Sequence, residues 1–362
     1  MNQNKKMISS LLIIACTFSI SVLAHAGSKE RFTMMSYNAE NLFNAVHDEG
    51  TDDYEYLPLE LKEGIYANET RAFCGNKGDC ANKDWTDAVY KKKLQNIAKS
   101  ILSYNNGKGA DVVMMQEVEN IQVLNDLIKT MPNSGYKYVQ LIEGKDKRGI
   151  DPGAISKIPF TSSKLHLPAD AKGVKRGTLE VNLLIKNVKV TLMSNHWPSQ
   201  ANPVADRMTA AKIVEKAVKD AAASDIIVSA GDFNTTETEK PNAVEYMKNL
   251  MVDARSKATE LGVKLFPGSY KHGGKWGSLD RIFVKVQNSK KILPIYETFN
   301  VYAPLFILKS KGNVSTFKTG KTPNPGPSDS IDYNKYEPFR FDYSKNDGFS
   351  DHLPSVISFE IQ

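Results

Sequence analysis

The run Ile226-Ile227-Val228-Ser229-Ala230-Gly231-Asp232-Phe233-Asn234 constrains the fold more than any other stretch of the chain. Three consecutive β-branched residues read as a buried strand, and the strand ends at a small-residue step that delivers an aspartate and an asparagine. Alternation puts Asp232 and Asn234 on one side and turns Phe233 into the core. The two polar groups can therefore reach one reacting atom. Four other stretches set polar groups at the edge of a strand-like run: Ser36-Tyr37-Asn38, Gln116-Glu117, Ser194-Asn195-His196-Trp197 and Ser350-Asp351-His352. All are expected to converge on the same place.

The strands between these points are short and interleaved with few helices. Residues 32–37, 110–117, 136–142, 179–185, 188–193, 279–284 and 353–361 carry strand patterns, with Lys186-Asn187 as the tight turn of a hairpin. Helical spacing appears from Asp87 to Leu102, over 121–129, over 208–223 and over 243–251. Two regions lack periodicity: an insertion at 44–86, and a Pro-, Gly- and Tyr-rich loop at 304–345. The expectation is an α+β chain, with two mostly antiparallel sheets packed face to face and helices outside. No low-complexity linker or internal repeat divides it, so residues 27–362 are read as one domain.

The first residues bear on the compartment. Lys5 and Lys6 precede a mostly apolar run from Ile8 to Leu23, and Ala24-His25-Ala26 is a small-x-small cleavage site, which reads as a secretory signal over residues 1–26. A membrane anchor is the competing reading, but the run is short and broken by serines and threonines. Export to the periplasm or outside the cell, without a membrane anchor after cleavage, is expected. Losing Lys5 and Lys6 lowers the formal net charge from +6 to +4 and leaves Cys74 and Cys80 as the mature cysteines. The turn-rich Gly-Asn-Lys-Gly-Asp between them predicts a disulfide in an oxidising compartment, whereas a metal site would need more ligands.

Glu117, Asp232 and Asp351 all lie where apolar runs meet loops. Carboxylates gathered in one pocket raise one another's pKa unless a cation intervenes. Oxygen ligands completed by water suit Mg²⁺, with Mn²⁺ as a substitute, better than zinc. Of the five mature histidines, His196 and His352 are flanked by Asn195 and Asp351, and Asp280 can fix an imidazole tautomer. Asn38 and Asn234 can donate to a phosphoryl oxygen, and Arg148 and Arg207 can add charge. The basic residues Lys91-Lys92-Lys93, Lys145, Lys147, Lys172, Lys175 and Arg176 form either a solvated face or a surface for a polyanion.

MSYNAENLF, VVMMQEVEN, RGIDPGAISKIP, SNHWPSQ, SAGDFN, SLDRIFV and GFSDHLP, in this order from about residue 32 to 361, together resemble the endonuclease/exonuclease/phosphatase superfamily with the deoxyribonuclease I-like fold. The resemblance implies a four-layered α/β sandwich with the site at one edge of two packed sheets. It implies that Glu117 binds the divalent metal, with Asn38 helping to place it and Asp351 nearby. Asp232 and Asn234 would orient water and phosphate, His352 would pair with Asp280, and His196 would be the second histidine. Arg148 and Asp151 would face the phosphate or brace His196.

The function expected from this set is a monomeric, metal-dependent nuclease acting on DNA, with RNA as a further substrate, through in-line attack by a histidine-activated water. Two alternatives stand beside it. One is a secreted, sphingomyelinase-like phospholipid or phosphoinositide phosphoesterase, for which Pro304-Leu305-Phe306-Ile307-Leu308 would be the membrane-facing segment. The other is a binding or toxin subunit without turnover.

Overall fold

A computed structural model describes residues 30–168, 173–310 and 332–362. The expected leader, Lys172 and the centre of the 304–345 loop lie outside the described residues. In chain order the elements begin with β1 (Arg31–Leu42), α1 (Leu59–Glu63), α2 (Ala67–Cys74), α3 (Asp87–Ser103), β2 (Val112–Val118), α4 (Ile121–Lys129), β3 (Tyr138–Leu141) and β4 (Asp151–Ser156). The middle holds β5 (Phe160–His166), β6 (Thr178–Ile185), β7 (Val188–His196), α5 (Val204–Asp220), β8 (Ile226–Asp232), α6 (Ala243–Lys248), β9 (Val252–Asp253) and α7 (Ala254–Glu260). The rest comprises β10 (Tyr270–His272), β11 (Lys275–Gly277), β12 (Asp280–Val286), β13 (Ile292–Val301), β14 (Leu308–Ser310), β15 (Tyr336–Pro338) and β16 (Ser355–Ile361).

Two six-stranded sheets form, in the orders β13-β16-β1-β2-β4-β3 and β5-β6-β7-β8-β12-β9. Period-two alternation builds the layers. Met34, Val112 and Met114 face Leu192, Val228 and Ile282 of the other sheet, while Met35, Val113 and Met115 face outward against Leu94, Ile97 and Leu124 of α3 and α4. On the far side, Val214 of α5 and Met247 of α6 pack on Met193, Ile227 and Phe283. The result is helix, sheet, sheet, helix, the expected α+β sandwich of the deoxyribonuclease I-like fold.

Each sheet is antiparallel except for one central parallel pair, β1 with β2 and β7 with β8. Parallel neighbours bring their carboxyl ends together. Asn38 stands opposite Gln116 and His196 opposite Asp232. Antiparallel β12 then starts where β8 ends, so Asp280 pairs with Asp232. Five separated stretches of sequence thus reach one edge of the sandwich.

The structure adds strands that the sequence pattern did not suggest. Edge strand β5 carries exposed Thr161, Ser162 and Lys164 instead of an apolar face. β13 is the other kind of edge, with Pro294 where an inner strand would need a donor. The 44–86 insertion folds onto the site edge. Cys74 and Cys80 form the expected disulfide. The buried Lys62 ammonium donates to the carbonyls of Glu55, Cys80 and Lys83 at 2.7–2.9 Å. Among the described residues, no helix is long and apolar enough to cross a membrane.

Candidate active site

Gly231 shows why the organising stretch narrows to small residues. Its φ is 141°, and a Cβ there would stand 2.0 Å from the Asn195 carbonyl oxygen, so only glycine lets β8 approach β7 this closely. The next residue, Asp232, is 2% exposed. Its Oδ1 accepts from the Asn234 backbone N–H at 2.9 Å, and its Oδ2 accepts from the side-chain amides of Asn234 and Asn38 at 3.1 and 3.2 Å. Asn234 holds this position in the left-handed region, φ 46°. Burial pushes Asp232 up to about 7, against the opposing charge of His352 and with help from Asp280 and Glu117.

Glu117 also has a positive φ, 59°, at a register break between β2 and β4. The break aims its carboxylate at Asn38, whose amide donates to Oε1 at 3.2 Å, and at Asn41, whose N–H donates to Oε2 at 3.0 Å. One amide thus bridges Glu117 and Asp232.

His352 is held from both sides. Its Nδ1 lies 2.7 Å from Asp280 Oδ2, and its Nε2 points into the site, 3.8 Å from Asp232 Oδ2 and 4.0 Å from Asp351 Oδ1. Burial opposes its charge, but Asp280, Asp232 and Asp351 outweigh burial and hold the imidazolium well above its ordinary pKa. His196 is the opposite case. Burial, then Arg176 and Arg148, push it well below the ordinary value. Its Nε2 accepts from Arg176 Nη1 at 2.9 Å and sits 3.4 Å from Glu117 Oε1. The two histidines at this sheet edge are thus shifted in opposite directions.

Arg176 was not among the expected site residues, although it stood in the basic list. Asp146 fixes it, accepting from Nε at 2.9 Å, and also accepts from the Arg148 backbone N–H at 3.2 Å. Arg148, Lys175 and Arg176 line one wall of a cavity of about 1160 Å³ whose floor includes Glu117, Asp232 and His352.

Two expected phosphate ligands are placed elsewhere. Arg207 is 2% exposed and pairs with Glu239 at 2.7 Å, while its Nη1 donates to the carbonyls of Pro198, Ser199 and Asn202. Its charge is spent on holding the loop after His196, so it cannot reach a phosphate. Asp151 is likewise buried, accepts from the Gly144 N–H at 2.9 Å, and is pushed by burial to about 7. It braces the 144–151 loop and is not among the residues that line the cavity. Of the Lys91-Lys92-Lys93 run, Lys93 also turns inward, donating to the Glu40 carbonyl at 2% exposure.

Glu117 and Asp351 offer carboxylate oxygens, the donor type that hard divalent cations take. Among the described residues, no three histidine, cysteine, aspartate or glutamate side chains close on one point. Mg²⁺ keeps several waters and takes one or two carboxylates. Burial raises Asp351 against the opposing charge of His352, and Glu117 adds to the rise, which a bound cation would offset.

Several solved structures share this fold. Danio rerio TDP2, described as complexed with single strand DNA product, is 16% identical over 91% of this chain and 99% of that one, with a TM-score of 0.51. A Bacteroides thetaiotaomicron endonuclease/exonuclease/phosphatase family protein is 14% identical over 92% and 99%, with a TM-score of 0.52. A mannosyl-6-phosphatase of the same bacterium is 15% identical over 91% and 99%, with a TM-score of 0.50. No curated protein matches the sequence. The profile of the endonuclease/exonuclease/phosphatase family matches residues 76–331. With that match across most of the chain, and with this edge-of-sandwich site, the chain belongs to the endonuclease/exonuclease/phosphatase family.

Proposed function

We propose that this protein is an exported, divalent-metal-dependent nuclease that hydrolyses phosphodiester bonds in DNA, with RNA as a further substrate, and that it acts as a monomer. The observation that carries this reading is the Asp280–His352 pair beside Asp232, in a cavity that Arg148, Lys175 and Arg176 also line. A polyanion would lie against those cations. The Cys74–Cys80 disulfide supports an oxidising destination.

Glu117 and Asp351, with Asn38 in reach, would hold Mg²⁺ or Mn²⁺. Bound there, the ion would neutralise charge on the phosphoryl group and the leaving oxygen. Asp232, fixed by two amides, is placed to take the proton from a water whose oxygen bonds to phosphorus as the bond to the leaving oxygen breaks. His352, charged and steadied by Asp280, donates from Nε2 to a phosphate oxygen. Arg176 supplies the guanidinium that Arg207 does not. In this reading Asp232 is the base rather than a histidine, a choice supported by the upward shift of His352 and by the hydrogen bond that His196 Nε2 accepts from Arg176.

The lipid alternative depended on an exposed apolar segment at 304–308. Ile307 and Leu308 are buried and pack with Phe349 and Leu353, with Leu305 and Phe306 against the same cluster. Incubating the mature protein and Mg²⁺ with single-stranded DNA, plasmid and sphingomyelin vesicles separates the readings. Oligonucleotide products without choline phosphate support the nuclease, and the reverse pattern overturns it.

A further inference from the structure

Beyond the residues that handle the phosphate, a row of rings leaves the site. Tyr270 lies against His352 with ring centroids 4.7 Å apart at 28°, and His272 continues the row parallel to Tyr270, 6.3 Å away at 6°. Both rings line the cavity, and His272 is exposed. Among the described residues, the His272 side chain makes no hydrogen bond or ion pair.

Among the described residues, His272 is exposed and Tyr270 half-buried between His352 and His272. Tyr270 and His272 stand on the β10–β11 hairpin, whose turn is Gly273-Gly274 with φ 56° and 82°, the two positive angles of a tight two-residue turn. A Cβ at either glycine would meet no atom within 4 Å. Directly across the hairpin from Tyr270 is Gly277, where a Cβ would also meet nothing, so the β11 strand sets no side chain opposite the ring. The platform is nevertheless fixed. Tyr270 bridges to His352, Leu353 N–H donates to the Ser269 carbonyl at 2.7 Å, and Trp276 Nε1 donates to the Tyr333 carbonyl at 3.0 Å.

We propose that Tyr270 and His272 form a stacking subsite for an unpaired nucleobase of the strand being cut. The inference rests on the nuclease reading and deepens it. The basic wall of Arg148 and Arg176 takes the phosphates, and the rings take the flat faces of the bases. Every base has such a face, so the subsite is tolerant of sequence. A base must leave its duplex stack to lie on it, so single strands are favoured over duplex.

The test compares kcat/KM on single-stranded oligothymidylate with that on an all-tetrahydrofuran abasic oligonucleotide of equal length, and on the oligothymidylate annealed to its complement. For the wild type, oligothymidylate is expected to exceed both other substrates by roughly tenfold or more. His272→Ala and Tyr270→Leu each shrink the base-dependent ratio by roughly tenfold, through KM, and Tyr270→Phe preserves it. A ratio unchanged in both variants overturns the subsite. So does an equal loss on base-bearing and abasic substrates, which would mark Tyr270 and His272 as supports of His352 alone. If the wild type cuts none of the three, the nuclease reading itself falls and takes the subsite with it.

Discussion

His352 Nδ1 lies 2.7 Å from Asp280 Oδ2, although the two residues are 72 positions apart. Both carboxylate and imidazole are almost fully buried, so the pair is worth more here than at a surface. Asp280→Asn keeps the shape and removes the charge that holds the imidazolium. The expected result is a fall in kcat of roughly 10²–10⁴-fold with the fold retained. Steady-state kinetics beside a thermal melt check it, and a variant with near-normal kcat contradicts the assignment.

Arg207 and Arg176 are expected to fail in opposite ways. Arg207→Met leaves Glu239 buried and unpaired, and such a loss costs about 3–5 kcal/mol, read by urea unfolding. Arg176→Gln should cost less stability, because Asp146 keeps Arg148 as a second partner, and should lower the slope of log binding against log salt by about 1. An unchanged salt slope would remove Arg176 from the phosphate wall.

Asp151 gives a pH test. Burial raises its folded pKa to about 7, above the ordinary value of 3.8. The folded state then binds a proton that the unfolded state has released, so stability falls as pH rises from about 4 to about 7 and levels off above. Asp151→Asn, which can still accept from Gly144, is expected to raise Tm by more at pH 8 than at pH 4. Equal shifts at both pH values contradict the buried, protonated carboxyl.

The Cys74–Cys80 disulfide closes a short loop inside the insertion. Chain entropy limits its contribution to about 2 kcal/mol, and the effect should be local. Limited proteolysis of the Cys74→Ser/Cys80→Ser double variant is expected to cut faster between residues 59 and 84 while the global Tm moves little. An unchanged cutting rate would show that Lys62 and the aromatic contacts hold the insertion by themselves.

The convergence at the site was legible because polarity changes abruptly at the strand ends. Glu117, His196, Asp232 and Asp280 each stand at or beside the end of a strand, Asn38 follows the apolar run inside β1, and pairing of those strands does the rest. Arg176 was legible in principle. The Lys186-Asn187 turn fixes the β6–β7 register, with Thr178 opposite Asn195, so the residues just before Thr178 must lie beside His196. Likewise, Gly273-Gly274 between Tyr270-Lys271-His272 and Lys275-Trp276 is a hairpin signal. What no local pattern contains is the partner of Arg207, because Glu239 lies on a separate loop and only the packed fold brings it near. The insertion was opaque for a similar reason. Its order comes from a buried ammonium and stacked rings, not from any periodic stripe.

Metal-dependent phosphodiester hydrolysis at this sheet edge is open to a plasmid-nicking assay on residues 27–362 with Mg²⁺, with Mn²⁺ and with chelator, beside His352→Ala and Asp232→Asn. Supercoiled DNA is expected to become nicked with either metal, a conversion abolished by chelator and reduced at least roughly 10²-fold in each variant. Supercoiled DNA left intact by the folded wild type, or nicking that survives both chelator and the two substitutions, would contradict it.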